Sequence, residues 1–329
     1  MVEPALTLPA LQVLRIRVTM RLAAPARLPP FKGALLRGGL GYALQRASCP
    51  QQCWGQSHRC PTEVARCAYR ELFEPTLPPG GTFLHDLRDA PRPFVLEPPL
   101  DQRRFYAAGD LLETTMLLFG RGIELLPFVA LAFVNFGRAG LGRYQTAARL
   151  ERIEALPYGQ SLGVTIYRDG DSDLTLTDMP LFNLSELTPI SERMAPDLRL
   201  ALRAPLRIKT RGELMQSLEI PALVQAICWR LQALNYLYGD VPWEVDYRPA
   251  VVAAQQVIVE HDTTHWVDWE RSSTRPANRQ TMKLGGLIGA ATLRNVPPMV
   301  RSLLLAASVV HAGKSCVFGH GWLQVLPNT

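Results

Sequence analysis

The stretch Val309–Val310–His311–Ala312–Gly313–Lys314–Ser315–Cys316–Val317–Phe318–Gly319–His320–Gly321–Trp322–Leu323–Gln324–Val325 decides how the rest of the chain is read. An apolar helical run from Met299 to Val310 breaks into a glycine-punctuated loop carrying Lys314, two histidines and a hydroxyl, and a strand pattern resumes at Trp322–Val325. Glycines permit positive φ and close backbone approach, so the N–H groups of Gly313, Ser315, Gly319 and Gly321 can face an anion, which favours phosphate. Gly313–Lys314–Ser315 is not a nucleotide-binding P-loop. That motif needs a glycine five residues earlier, where Ser308 stands, and a strand before it with a helix after, the reverse of the order here.

The same ending occurs in Ala130–Leu131–Ala132–Phe133–Val134–Asn135–Phe136–Gly137–Arg138–Ala139–Gly140–Leu141–Gly142–Arg143–Tyr144. An apolar helical run again meets glycine, a basic residue, and a Gly-x-Gly followed by an aromatic residue. Two copies about half a chain apart predict two related domains in tandem. A chain of 329 residues gives each half enough length to bury its own core, and 47% hydrophobic residues read as globular.

The net charge of +6 is compatible with a polyanionic partner without demanding one. Lysine occurs only at Lys32, Lys209, Lys283 and Lys314, each within a few residues of a glycine, while arginine supplies the rest. That distribution is either compositional bias or a set of point-charge contacts to phosphate, with forked arginine contacts around them. Ile123–Val134 is too short for a membrane span and is interrupted by Pro127, and Leu303–Val310 is shorter still. The N-terminus lacks a charged region leading into an apolar core, so the expectation is a cytoplasmic protein with no membrane partner.

Leu14, Ile16, Val18, Met20 and Leu22 alternate with Arg15, Arg17, Thr19 and Arg21, which predicts a half-buried strand with a basic outer face. Phe31–Leu44 has helical spacing, and its glycines imply close packing against a neighbour. Cys49, Cys53, Cys60 and Cys67 follow with His58 among them, in the spacing C-x3-C-x6-C-x6-C. Without paired C-x2-C knuckles this reads either as a structural zinc site or as reduced, unligated cysteines. Strands at Leu111–Leu118 and around Thr146–Ile153 flank an apolar helix at Ile123–Phe136, an order that suits a ferredoxin-like unit with its helices on one face. Asp169–Gly170 marks a hairpin turn between Val164–Tyr167 and Leu174–Thr177. Its aspartates imitate a calcium loop, but Leu174 and Pro180 occupy the positions that require glycine and glutamate.

Thr188–Pro196 reads as a linker, after which the pattern restarts. Leu198, Leu200 and Leu202 alternate with Arg199, Ala201 and Arg203; Ile220–Tyr238 is an amphipathic helix closed by Gly239; Val251–Glu260 and Thr264–Glu270 read as strands. Arg271–Gln280 is polar and basic, with Arg275 and Arg279, and Lys283–Gly289 resumes an apolar strand pattern. The expected fold is α+β: two tandem ferredoxin-like domains, 1–190 with a Cys-containing insertion at about 48–100, and 196–329.

With these pieces placed, the chain resembles the CRISPR-associated endoribonucleases that process precursor crRNA, the sixth numbered Cas family of the RAMP superfamily. The resemblance lies in Phe31–Gly38, Cys67–Pro75, Phe136–Tyr144, Pro205–Lys209, Lys283–Gly289 and His311–Gly321, in the family's order. It implies two RRM-like folds, CRISPR repeat RNA as partner, other Cas subunits as further partners, and cleavage that uses no metal and leaves a 2′,3′-cyclic phosphate. Attack of a ribose 2′-OH on the adjacent phosphate needs a base near neutral pKa, a cation for the developing charge and donors for phosphate. His311 is the first choice for the base and Lys314 for the cation, the alternative being a helix-end histidine bonded to its own loop. Lys32, Arg37, Arg138, Arg143, Lys209, Arg271, Arg275, Arg279 and Lys283, with Gly313, Ser315, Gly319 and Gly321, are the expected RNA contacts. His261 and His265 sit near strand ends with no cationic neighbour in sequence. Many relatives place a catalytic histidine in the first helix, and Phe31–Arg46 contains none. A non-cleaving RNA-binding subunit of an effector complex is therefore the second reading. A small-molecule enzyme on the same scaffold has no cofactor motif to support it.

Overall fold

The computed structural model describes residues 5–49, 67–77, 89–272 and 281–328, with only the backbone at 271–272 and 281–282. The chain forms two compact units. One comprises Gln12–Phe182 with Leu237–Gly239, and the other comprises the residues up to Leu11, Asn183–Tyr236 and Asp240–Thr329.

The first unit runs β1 (Gln12–Leu22), α1 (Gly33–Ser48), β2 (Phe94–Glu97), β3 (Leu111–Phe119), α2 (Leu126–Ala139), β4 (Ala148–Leu156) and β5 (Val164–Arg168). Its strands pair antiparallel in the order β2-β3-β1-β4-β5. This is the ferredoxin-like βαββαβ arrangement with an added edge strand. Alternation in β1 buries Leu14, Ile16, Val18 and Met20 and turns Arg15, Arg17 and Arg21 outward. The glycines of α1 make room for neighbouring rings: a Cβ on Gly39 would sit 2.1 Å from the Phe136 ring of α2, and one on Gly41 would sit 3.1 Å from Phe73.

The strand β2 lies inside the segment expected to be an insertion. Prolines on both sides disguise it as an extended connection, yet all four of its residues are buried and its ladder pairs Phe94 with Leu118 through Glu97 with Thr115. Pro127 does not interrupt the apolar run. It stands in the first turn of α2, where a missing N–H costs nothing, and a 3₁₀ turn, Gly120–Leu125, leads into it. The combined stretch Gly120–Ala139 reaches a membrane-spanning length and mean hydropathy of 1.3, but with 50% of its most apolar window buried it is the core helix of this unit.

The second unit runs β6 (Leu198–Leu206), α3 (Ile220–Tyr238, up to Tyr236 in this unit), β7 (Ile258–Glu260), β8 (His265–Val267), β9 (Gly286–Arg294), α4 (Pro298–Val310) and β10 (Leu323–Pro327). Its sheet has the order β7-β9-β6-β10, with β8 also pairing β9, so the same topology is built twice. Thr188–Pro196 is not a linker. Leu187–Glu192 is a short helix packed on α4, with the fully buried Ser191 hydroxyl 2.8 Å from that of Ser302 and its carbonyl accepting from Arg301 at 3.3 Å. Polar residues that read as solvent-exposed satisfy one another in the core. Arg248–Ala253 is a helix with Pro249 in its first turn, which leaves only Ile258–Glu260 of the expected longer strand. Leu174–Thr177 forms no strand: Thr175 gives one hydrogen bond to Ile166, and the Asp171 carboxylate accepts from the Arg168 amide at 2.7 Å to close the turn.

Candidate functional site

The chain leaves α4 at His311 with φ 61° and ψ 174°, a conformation nearly reserved for glycine. The Ala312 amide then donates to Gly321 at 3.0 Å, the Gly321 amide to Pro205 at 2.9 Å and the Lys314 amide to Arg207 at 2.8 Å. These bonds press the loop onto the end of β6. A Cβ on Gly313 would lie 2.5 Å from the Arg207 carbonyl and one on Gly321 would lie 1.8 Å from that of Ala312. Those two glycines therefore serve close packing of the loop. Ser315 and Gly319, both left-handed, bracket the single turn Cys316–Phe318, and burial pushes the Cys316 thiol pKa up.

A third segment joins them. The Arg207 guanidinium donates to the Gly285 carbonyl at 2.8 Å and lies 5.9 Å from the centre of the Trp266 ring. The His320 Nε2 is 2.9 Å from the Leu284 carbonyl. Backbone from 205–209, 283–285 and 311–321 is thus laced together, which brings the exposed Lys209, Lys283 and Lys314 to one edge of this unit. Among the described residues none of these lysines forms an ion pair, although Glu270 stands opposite Lys283 in their two-stranded ladder.

His311 does not share that surface. It is 0% exposed, its Nδ1 is 3.1 Å from the His320 carbonyl and its ring stacks on Trp322 with centroids 6.1 Å apart. The loop folds back over the helix end and covers the imidazole, so in this structure it is a helix-end histidine bonded to its own loop. His320 is buried too and stacks on Trp269 at 5.4 Å. Burial above all, with the Arg207 and His311 charges adding to it against the Leu284 hydrogen bond, pushes its pKa down to about 4, so its ring is neutral at pH 7.

The first loop repeats the packing logic. A Cβ on Gly137 would meet the Ala148 carbonyl at 2.2 Å, and one on Gly140 that of Gln145 at 2.1 Å, while Arg138, Arg143 and Tyr144 stay exposed. Beside it Ala26–Arg27 pairs with Phe105–Tyr106, and Leu28 lies 3.1 Å from where a Gly142 Cβ would stand. Phe105 is 67% exposed, with the Arg27 guanidinium 5.5 Å from its ring centre, an aromatic and cationic surface that the expected contacts did not include. The run Arg103–Arg104–Phe105–Tyr106 was its only signal in the sequence.

Lys32 is not a surface contact. Its side chain is fully buried, with Nζ 3.0 Å from Asp101, 3.3 Å from the Pro30 carbonyl and 5.7 Å from the centre of the Tyr106 ring. Partial burial would raise the Asp101 pKa, but the hydrogen bonds from Lys32 and the Arg103 amide outweigh it and hold the carboxyl below its usual range. Burial and the Asp101 charge push the Tyr106 phenol up to about 12. Arg37 is half-buried, its guanidinium 5.2 Å from the Phe73 ring centre. Of the remaining expected contacts, Arg271 lies in a short strand, Glu270–Ser272, and Arg275 and Arg279 fall outside the described residues. So do Cys53, Cys60 and His58. Cys49 is buried at the C-cap of α1, and Cys67 is the N-cap of the short helix Ala68–Phe73.

The two sheets differ in charge. On the first, Arg15 meets Glu97 at 3.7 Å, Arg17 meets Glu154 at 2.9 Å, and Arg21 is bonded to Glu151, so the expected basic face is an ion-paired lattice. On the second, Arg199 and Arg203 are exposed, and no carboxylate among the described residues pairs with either.

Residues 11–179 match the family model AF_1859_N, described as an N-terminal domain, and residues 200–323 match the model of CRISPR-associated endoribonuclease Cas6. Among curated proteins none matches. Among solved structures, a partial Cas6-RT-Cas1–Cas2 complex is 14% identical with a TM-score of 0.57, over 97% of this chain and 47% of that one, so this chain spans about half the length of that protein. Cas6 from Thermus thermophilus is 13% identical over 97% of this chain and 100% of its own, with a TM-score of 0.55. A Cas6 product complex is 15% identical over 96% and 99%, with a TM-score of 0.54. At these identities the likeness is one of fold, and it runs through both units. With its first half in the AF_1859_N family and its second half matching the Cas6 model, the chain is a Cas6-type CRISPR-associated protein.

Proposed function

We propose that this chain binds CRISPR repeat RNA and cuts it within precursor crRNA, by attack of a ribose 2′-OH on the adjacent phosphate, without a catalytic metal, leaving a 2′,3′-cyclic phosphate. The observation that carries this reading is the convergence of Lys209, Lys283 and Lys314, none of them in an ion pair among the described residues, on one edge built by the glycine-rich loop. Three point charges held by backbone hydrogen bonds suit phosphates of a single strand and can stabilise charge that develops on one of them. The Cas6 product complex and the Cas6-RT-Cas1–Cas2 complex of similar fold support repeat RNA and other Cas proteins as partners.

The buried His311, with no histidine in α1, supports the second reading, a non-cleaving RNA-binding subunit. Incubating the chain with labelled repeat RNA in EDTA separates the two. A discrete product whose 3′ end resists phosphatase until acid opens it supports cleavage, and tight binding with intact RNA supports the subunit. A structural zinc ion at Cys49, Cys53, Cys60 and Cys67 is proposed on their spacing alone, and no step of the reaction uses it.

A further inference from the structure

We propose that the uncovered face of the second sheet carries a pocket for one nucleotide of single-stranded RNA, with Arg199 holding its phosphate and His261 acting as a second donor; this rests on the RNA-binding reading above. The pocket has a volume of about 390 Å³ and is lined by Arg199, His261, Thr263, Ala290, Thr292 and Arg294, with Ala291 and Asn328 completing the wall. That volume lies in the range of small-ligand sites.

The register of the sheet makes the pocket. Arg199 of β6 pairs with Thr292 of β9, and Ala201 pairs with Ala290, so two small side chains lower the floor beside the arginine. The turn between β7 and β8 forms one wall. The Thr263 amide and hydroxyl both donate to the Ala290 carbonyl at 2.9 Å, and His261, at φ 45°, turns the chain to line the cavity. The absence of a cationic neighbour for His261 in sequence is thereby reversed in space.

Charge selects the occupant. Arg294 is already committed, to Asp197 at 2.8 Å and Glu260 at 3.0 Å, which leaves Arg199 as the uncompensated cation of the pocket among the described residues. The first sheet pairs its outward arginines Arg15, Arg17 and Arg21 with glutamates, Arg17 and Arg21 with Glu154 and Glu151 of the adjacent β4 and Arg15 with Glu97 of β2 across the intervening strand. An arginine fork beside a hydroxyl and an imidazole suits phosphate oxygens, and the alanine floor suits the apolar face of a ribose or base.

The test titrates adenosine 3′-monophosphate into the full chain carrying ¹³C-labelled histidines, with the His261 resonance identified by its loss in His261→Asn. The nucleotide is expected to shift that resonance at concentrations about tenfold below those at which adenosine does, and Arg199→Gln is expected to weaken the nucleotide by about tenfold or more, the usual worth of a charge-assisted contact, with an unchanged melting temperature. A His261 resonance that the nucleotide leaves unmoved, or Arg199→Gln binding as wild type, overturns the pocket. Repeat RNA bound by wild type and Arg199→Gln alike contradicts the pocket while sparing RNA binding. A nucleotide held by Arg199 in a chain that ignores repeat RNA supports the pocket and contradicts the proposed function.

Discussion

The Nδ1 of His311 lies 3.1 Å from the carbonyl oxygen of His320, and this contact helps close the glycine-rich loop over the end of α4. His311 thus trades a strained backbone for a buried ring, and the two contributions can be separated by substitution. His311→Ala loses the ring and keeps the strain, whereas His311→Gly loses the ring and relieves it. The glycine variant should be the more stable by about 1–3 kcal/mol in urea unfolding. A folded His311→Gly protein that cuts repeat RNA as wild type agrees with a buried, non-catalytic ring. One whose single-turnover rate falls by about 10²–10⁴ would restore His311 as the base.

His320 sets a pH dependence of stability. Its pKa is about 4 when folded against 6.5 unfolded, so above pH 6.5 both states are neutral there and stability is at its full value. As pH falls from 6.5 towards 4 the unfolded chain takes up a proton that the folded one refuses, and stability is lost across that window. Between pH 7 and pH 5 the loss from this residue should be about 2 kcal/mol, and His320→Phe should lose less over the same interval by about that amount. Identical losses in the two proteins would remove His320 as the cause.

Lys32 distinguishes an internal cation from an RNA contact. Lys32→Ala strands Asp101 and empties a buried site, so it should lower stability by about 1–3 kcal/mol while repeat-RNA affinity stays within about twofold. A variant of unchanged stability with weakened RNA binding would put the lysine back at the interface.

The cysteines are tested by metal analysis of protein purified without added zinc. About one zinc per chain is expected, to be lost with a drop in melting temperature in Cys53→Ser/Cys60→Ser. A metal-free, equally stable wild-type protein refutes the site.

The alternation of β1 and β6 and the amphipathic run of Ile220–Tyr238 ending at Gly239 made the core strands and one core helix legible, because period alone reports which face is buried. What pairs with the other face was not legible. Glu154, which neutralises Arg17, is 137 residues away in sequence. Lys32 looked like a loop cation because Asp101, 69 residues on, cannot be matched to it by spacing. The strand Phe94–Glu97 was hidden by flanking prolines, and His261 met its arginine only through the register of the sheet.

The lysine edge is the centre of the functional account, and the salt dependence of repeat-RNA binding tests it most directly. Wild type should bind with an affinity that falls steeply as salt rises, and Lys209→Ala/Lys283→Ala/Lys314→Ala should reduce the slope of log K against log salt by about 2, since each phosphate contact on a single strand contributes about 0.7. An unchanged slope in the triple variant, or wild-type binding insensitive to salt, would contradict it.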